Sequence, residues 1–153
     1  MRAAVTDAPD LARWLEAAPI AHPGCAAFTG AWLQARWGAR LNPDFMGDLR
    51  RALRACRAMG GLRQAAAQEA ARLGWSPVAR PCDVRHGWPG IVLVAVTPDR
   101  RRLALAICWR PVTGHVPCWA VHGGDPAGDR DVIAIMRVPM VCAWQPPVEV
   151  QHG

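Results

Sequence analysis

The chain has no lysine, no tyrosine, no Cys-x-x-Cys pair and no apolar run longer than a β-strand. The missing lysine means that all eighteen basic residues are arginine, and the formal net charge of +6 rests on them. Lysine codons are A/T-rich and arginine codons largely G/C-rich, so a GC-rich genome accounts for the bias without any polyanionic ligand. The arginines are also dispersed. Their densest cluster is "DRRR" at 99–102, and no nucleic-acid-binding motif accompanies them. Specific nucleic-acid binding is not expected, although long-range attraction to an acidic partner or surface is compatible with the charge. Six cysteines without a tight pair argue against a disulfide framework and for reduced thiols. Runs such as "IVLVAV" are too short to span a bilayer. The opening "MRAAVTDAPDLARWLEAAP" lacks the apolar core of a secretory signal. A soluble product made in the cytoplasm is the expectation.

What is present suits one packed domain. Hydrophobic residues make up 52% of 153 positions, enough for a real core. The expected division is a single domain over 1–146 and a Pro-rich tail over 147–153. The first half reads helical. Residues 7–18 place Leu11, Trp14, Leu15 and Ala18 on one face, with Asp7 as cap and Pro9 in the first turn. A second helix is expected from about Cys25 to Trp37, with Cys25, Phe28, Trp32 and Ala35 along one stripe. A third follows Pro43-Asp44, with Phe45, Leu49, Ala52, Leu53 and Cys56 inward and Arg50, Arg51, Arg54 and Arg57 opposite. Gly60-Gly61 closes it, and "LRQAAAQEAARL" forms a fourth helix that stops at Gly74.

Beyond residue 75, frequent prolines cut the chain into strand-length pieces. "GIVLVAV" and "RLALAICW", joined by "TPDRR", predict an antiparallel hairpin. "HVPCWAVH", "DVIAIMRV" and "VCAWQ" are further strands. The class is therefore α+β, N-terminal helices packed on a C-terminal antiparallel sheet. The hairpin strands lack strict alternation, so both faces of the sheet are expected to be covered.

The stretch most like chemistry is "HPGCAAFTGAWLQARWG" at 22–38. Cys25 follows Pro23-Gly24 and opens a helix, where unpaired N–H groups and the helix dipole stabilise a thiolate. Only the thiolate attacks carbonyl carbon well, so this is where a cysteine peptidase needs its nucleophile. The plainer reading is that Cys25 is a small buried hydrophobe, as cysteines often are.

Four stretches carry a resemblance. "GCAAFTGAWL" (24–33) matches an Asp-Cys-x-x-Phe-x-x-x-Trp pattern. "LRRALRACRAMGGL" (49–62) matches an Arg-rich helix ending in Gly-Gly, "RPCDV" (80–84) a Pro-Gly-Asp-Val strand entry, and "LALAICW" (103–109) a central strand. Together they resemble the papain-like cell-wall cysteine peptidases of the NlpC type. The branch in question consists of small proteins encoded among the tail genes of phages and gene transfer agents. That resemblance implies a papain-like architecture, location in a virion tail assembled in the bacterial cytoplasm, and a tail hub or other tail-tip protein as partner. Peptidoglycan is a second partner, if the site is active.

The departures lie at the catalytic positions. Gly24 replaces the Asp before the cysteine, Cys82 replaces the turn glycine, and Ala104 stands where active relatives carry the histidine. Without an imidazole to take the thiol proton and return it to the leaving amine, about 10²–10⁴-fold of acid–base catalysis is lost. The resemblance then implies a catalytically incomplete fold serving as a structural or assembly component of a phage-like tail tip. The alternative is an active peptidase or amidase with Cys25 as nucleophile and a displaced base, His86 or His115 before His122.

Other constellations are weaker. Cys82-x-x-x-His86 and Cys118-x-x-x-His122 could suggest zinc, but residues four apart along a strand lie about 13 Å from each other. "HGGDPAGDRD" (122–131) lacks the ligand ladder of a calcium loop and reads as a long turn. No metal and no cofactor are expected. Trp75 and Trp88 sit in Pro/Gly-rich context beside Arg80 and Arg85, the make-up of a binding hot spot, so 75–90 is the expected docking surface. Against it stands the reading that both indoles pack beneath their own loop.

Overall fold

The computed structural model describes residues 13–14, 24–47, 49–78, 90–110, 118–123 and 132–147, with side chains except at 24–25, 109–110, 122–123 and 132–134. Among the described residues, the helices that precede the sheet and have both ends described are α1 Gly24–Trp37, α2 Pro43–Met46, α3 Leu49–Ala58 and α4 Leu62–Leu73. Six strands follow: β1 Ser76–Pro77, β2 Ile91–Ala95, β3 Leu103–Arg110, β4 Cys118–Gly123, β5 Val132–Arg137 and β6 Met140–Gln145. They form one antiparallel sheet in the order β1-β6-β2-β3-β4-β5. The class is α+β, with N-terminal helices against a C-terminal sheet. Residues 13–14 are helical, and the rest of the helix expected over 7–18 lies outside the described residues.

Local chemistry sets the helix ends. Asn42 accepts the Asp44 N–H at 3.0 Å and Pro43 fills the first helical position, which starts α2. Gly60 and Gly61 take φ of 97° and 113°, and the Gly61 N–H closes on the Cys56 carbonyl at 2.8 Å, turning the chain from α3 into α4. Gly74, at φ 76°, ends α4 with its N–H on the Ala70 and Ala71 carbonyls.

Two inward stripes differ from expectation. On α1, Phe28, Thr29, Trp32, Leu33 and Arg36 are buried, whereas Ala35 is exposed. The expected third helix is two: the short α2, which buries Phe45, and α3, which buries Ala52 and half-buries Leu49 and Cys56. Leu53, expected inside, is 50% exposed. It lies one step off the seam formed by residues 49, 52 and 56, which is narrow enough to leave it out.

The sheet cannot be flat. β5 and β6 are joined by Val138 and Pro139 alone, yet β4, β3 and β2 lie between them in the sheet. Laid flat, they would be about 19 Å apart across four inter-strand spacings. The three peptide steps from Arg137 to Met140 reach at most about 11 Å. The sheet therefore rolls toward a barrel, and register shifts at Leu93/Val94 and at Cys108/Arg110 sharpen the bend.

Rolling gives each face its own core. Ile91, Leu93, Leu105, Ile107 and Ala120 face the helices and join Phe28, Trp32, Leu33 and Phe45. Val92, Val94, Ala104, Ala106, Cys108, Val121 and Ala143 line the other face around Trp119. All five residues of β2 are consequently buried, as its unbroken apolar run predicts. Trp119 is the one large side chain among small ones, and its indole N–H donates to the Val138 carbonyl at 2.8 Å, holding the β5–β6 crossing onto the concave face. Replacing Trp119 with Phe removes that donor and leaves a void. The expected cost is about 2 kcal/mol by urea unfolding; a loss below about 0.5 kcal/mol, the level of an ordinary surface substitution, would show that the indole does not hold the crossing.

Candidate functional site

Cys25 is the second residue of α1, as the Pro-Gly-Cys stretch predicts. Its side chain lies outside the described residues. The helix itself is firmly seated. Ala27, Phe28 and Leu33 are fully buried, and Trp14 stacks obliquely on Phe28 and Trp32 with ring centroids 5.5 and 5.3 Å away. Near its other end the Arg36 guanidinium sits 3.5 Å over the Trp37 ring, a cation–π contact in a buried setting.

The sheet opposite α1 is aliphatic. The described β2 and β3 side chains facing the helices are Ile91, Leu93, Leu103, Leu105 and Ile107. Ala104, the position at which the motif resemblance implies a histidine, belongs to the concave face with Val92 and Val94. A side chain at 104 therefore points away from α1. Moving the alignment by one residue either way gives Leu103 or Leu105, neither of which takes a proton. The other candidate bases, His86 and His115, lie outside the described residues. His122 is within β4, with its side chain undescribed.

The expected docking surface divides. Arg80, Arg85 and Trp88 lie outside the described residues. Trp75 is a correction: it is 8% exposed and packs in the helix-side core. Left-handed Gly74 turns the chain back at that point, and the Trp75 N–H closes on the Ala70 carbonyl at 2.9 Å, which directs the indole inward. The indole is therefore a core side chain rather than part of an exposed surface. Cys118 and His122 occupy one continuous strand, the arrangement that keeps residues four apart from sharing a metal. Cys82 and His86 lie outside the described residues.

One buried carboxylate has the look of an active group. Glu69 is 5% exposed and borders a cavity of about 20 Å³ lined by Ala26, Leu41, Phe45, Cys56 and Leu105. Both of its oxygens are occupied. Oε1 accepts the Asn42 N–H at 2.5 Å and Arg72 Nη2 at 3.0 Å, and Oε2 accepts Arg72 Nε at 3.2 Å. Arg72 Nη2 also donates to the Arg40 carbonyl at 2.6 Å, and the carboxylate raises the guanidinium pKa. Glu69 is thus a strut fixing the α1–α2 segment to α4, and the largely apolar cavity has room for about one water, too little for a ligand. Nothing in the Ala-rich α4 marks this role beyond an acid three residues before an arginine. At the other end of the sheet, an open groove of about 310 Å³ runs beside Val96, Thr97, Pro98, Arg100 and Pro139. It holds no nucleophile and no acid–base group. Its rim is the β2–β3 turn, where Asp99 accepts the Thr97 hydroxyl and the Arg101 N–H, bonds that hold its carboxyl below the usual carboxylate range.

The described thiols split by burial. Cys108 is 1% exposed, and burial, reinforced by Cys118, pushes its pKa from 9.0 to about 12. Burial also raises half-buried Cys142, against an opposing pull from Arg63. These are inert thiols rather than nucleophiles. Among the described residues no group of three or more His, Cys, Asp or Glu could hold a metal ion, and no helix is long and apolar enough to cross a membrane. Comparison with protein-family models, with curated proteins and with solved structures gave no match.

Two measurements check these assignments. Arg72→Ala should cost about 2–3 kcal/mol by urea unfolding, because it leaves the buried Glu69 carboxylate without its counter-charge, whereas Glu69→Ala should cost about 1 kcal/mol, since the half-exposed guanidinium is rehydrated and the Asn42 N–H alone loses a part-buried acceptor. Equal, small losses would show that the strut carries no load. For Cys108, the folded state keeps a neutral thiol while the unfolded chain ionises first, so stability is complete below about pH 8.5 and falls as pH rises toward 12. Lacking lysine and tyrosine, the chain has only cysteine side chains titrating in that window. Cys108→Ala should flatten the alkaline fall of the urea midpoint; an unchanged profile would refute the assignment.

Proposed function

We propose that this domain is a structural or assembly component of a phage-like tail tip, built on a papain-like, NlpC-type architecture whose catalytic pair is incomplete. The tail setting comes from the four motif resemblances, and the partner they imply is a tail hub protein. The observation that carries the non-catalytic part is the aliphatic stripe facing α1, Leu103, Leu105 and Ile107, where a peptidase of this architecture needs an imidazole. A thiol at a helix N-terminus without a base is reactive at most, since positioned proton transfer contributes about 10²–10⁴-fold. The second reading, an active cell-wall peptidase or amidase, is favoured by one observation: Cys25 does occupy the first turn of a 14-residue helix. It needs a displaced base, His86 or His115.

The two readings separate in one assay. The purified domain incubated with muropeptides should release no stem-peptide fragment by mass spectrometry, and Cys25→Ala should leave particle infectivity or gene delivery unchanged while removal of the whole protein abolishes it. Fragment release that disappears in Cys25→Ala would establish the peptidase instead. Absence of the protein from assembled particles would remove the tail-tip reading.

A further inference from the structure

The outer face of α3 carries a dense group of like charges. Arg50, Arg51, Arg54 and Arg57 are all exposed on a ten-residue helix that contains no acid. Residues 50, 54 and 57 fall on one stripe at i, i+4 and i+7, so neighbouring guanidinium groups face each other along it, and 51 and 54 add another close pair. Like charges at these spacings destabilise a helix. Two of the four also sit in the first turn, against the positive end of the helix dipole. Arg51 is offset by Asp44, its Nε donating to Oδ1 at 2.8 Å. Arg54 and Arg57 meet no carboxylate among the described residues.

Leu53 lies within this charged surface. It is 50% exposed, and only Ile135 shares that status among the large hydrophobic side chains described. On the helix it is one turn from both Arg50 and Arg57 and adjacent to Arg54. The inward positions Ala52, Ala55 and Cys56 are committed to the core, so α3 has no wide apolar face to insert into a lipid bilayer. A phosphate backbone would meet the arginines but leave Leu53 with no apolar partner. An acidic protein surface with one apolar socket satisfies both, since carboxylates pair with guanidinium groups in a bidentate fork and the leucine fills the socket between them.

We propose that α3 is a docking face for an acidic protein segment, with Arg54 and Arg57 binding its carboxylates and Leu53 anchoring in its apolar socket. This surface is separate from the α1 N-terminus, and the proposal holds whether or not the thiol is active. The anionic partner relieves repulsion that the free helix carries, so binding should weaken steeply with salt.

The test uses the whole chain and a fluorescein-labelled helical peptide of about 18 residues, with glutamates flanking a leucine stripe, read by anisotropy at 50 and 200 mM salt. Saturable binding at 50 mM, weakened at least fivefold at 200 mM, is expected. Leu53→Ala should weaken it about fivefold and the Arg54→Glu/Arg57→Glu double variant at least thirtyfold, with Arg101→Glu on the β2–β3 turn changing it less than twofold. The double variant should also melt at the same or higher temperature than the parent, which separates lost docking from lost folding. No saturable peptide binding overturns the proposal, as does an Arg101→Glu effect equal to the α3 variants. Tighter binding of a 20-bp DNA duplex or of phosphatidylglycerol vesicles, insensitive to Leu53→Ala, also overturns it and assigns the face to a nucleic acid or a lipid surface.

Discussion

The rest of the domain hangs on a two-residue connection. Because Val138 and Pro139 must carry the chain from the edge strand β5 to β6, past three intervening strands, the sheet has to roll, and rolling creates a concave interior as well as a helix-covered exterior. The interior is lined by small side chains on β3 and β6, Ala104, Ala106, Cys108 and Ala143, around a single indole. That indole bonds the very segment whose shortness forces the curve. The Pro139 carbonyl accepts from the Ala95 N–H at 3.1 Å, which stitches the crossing to β2. Substitutions that enlarge these buried alanines would overpack the face that Trp119 fills.

The same curvature decides what the sheet can offer to α1. Side chains alternate along β3, and the roll assigns residues 103, 105 and 107 to the helices and residues 104, 106 and 108 to the interior. Any group acting on Cys25 from this strand must come from the first set. Both sets are apolar, and the one thiol of the second, Cys108, is walled off from both the helix and the solvent. Among the described side chains of β2 and β3, those on the helix side are all aliphatic.

Much of this fold is legible in the sequence because its signals are local. Helix ends read from Pro43, Gly60-Gly61 and Gly74, and the β2–β3 hairpin from two apolar runs around "TPDRR", fall where expected because each depends on a few neighbouring residues. The helical start at Cys25 is legible for the same reason. Other features depend on contacts distant in sequence. The pairing of β1 with β6 and the roll of the sheet leave no periodic trace. Leu53 satisfies the helical repeat as well as its buried neighbours do, and only the width of the seam sets it outside. Trp75 looks exposed by composition, yet the backbone of Gly74 turns it into the core. Glu69 reads as a solvated charge in an Ala-rich helix and proves to be a buried tie to Asn42, 27 residues away.

Buried polar groups on α1 bear on how that helix is held. Thr29 Oγ1 and the Trp32 and Trp37 indole nitrogens are sealed from solvent without a hydrogen-bond partner among the described residues. Each such group costs about 1–3 kcal/mol relative to a satisfied one. A helix that tolerates three of them is positioned by the apolar contacts of Phe28, Leu33 and the Trp32 ring, which outweigh the polar loss. Packing of that kind fixes the helix axis through apolar surface and leaves the direction of these three polar groups unspecified.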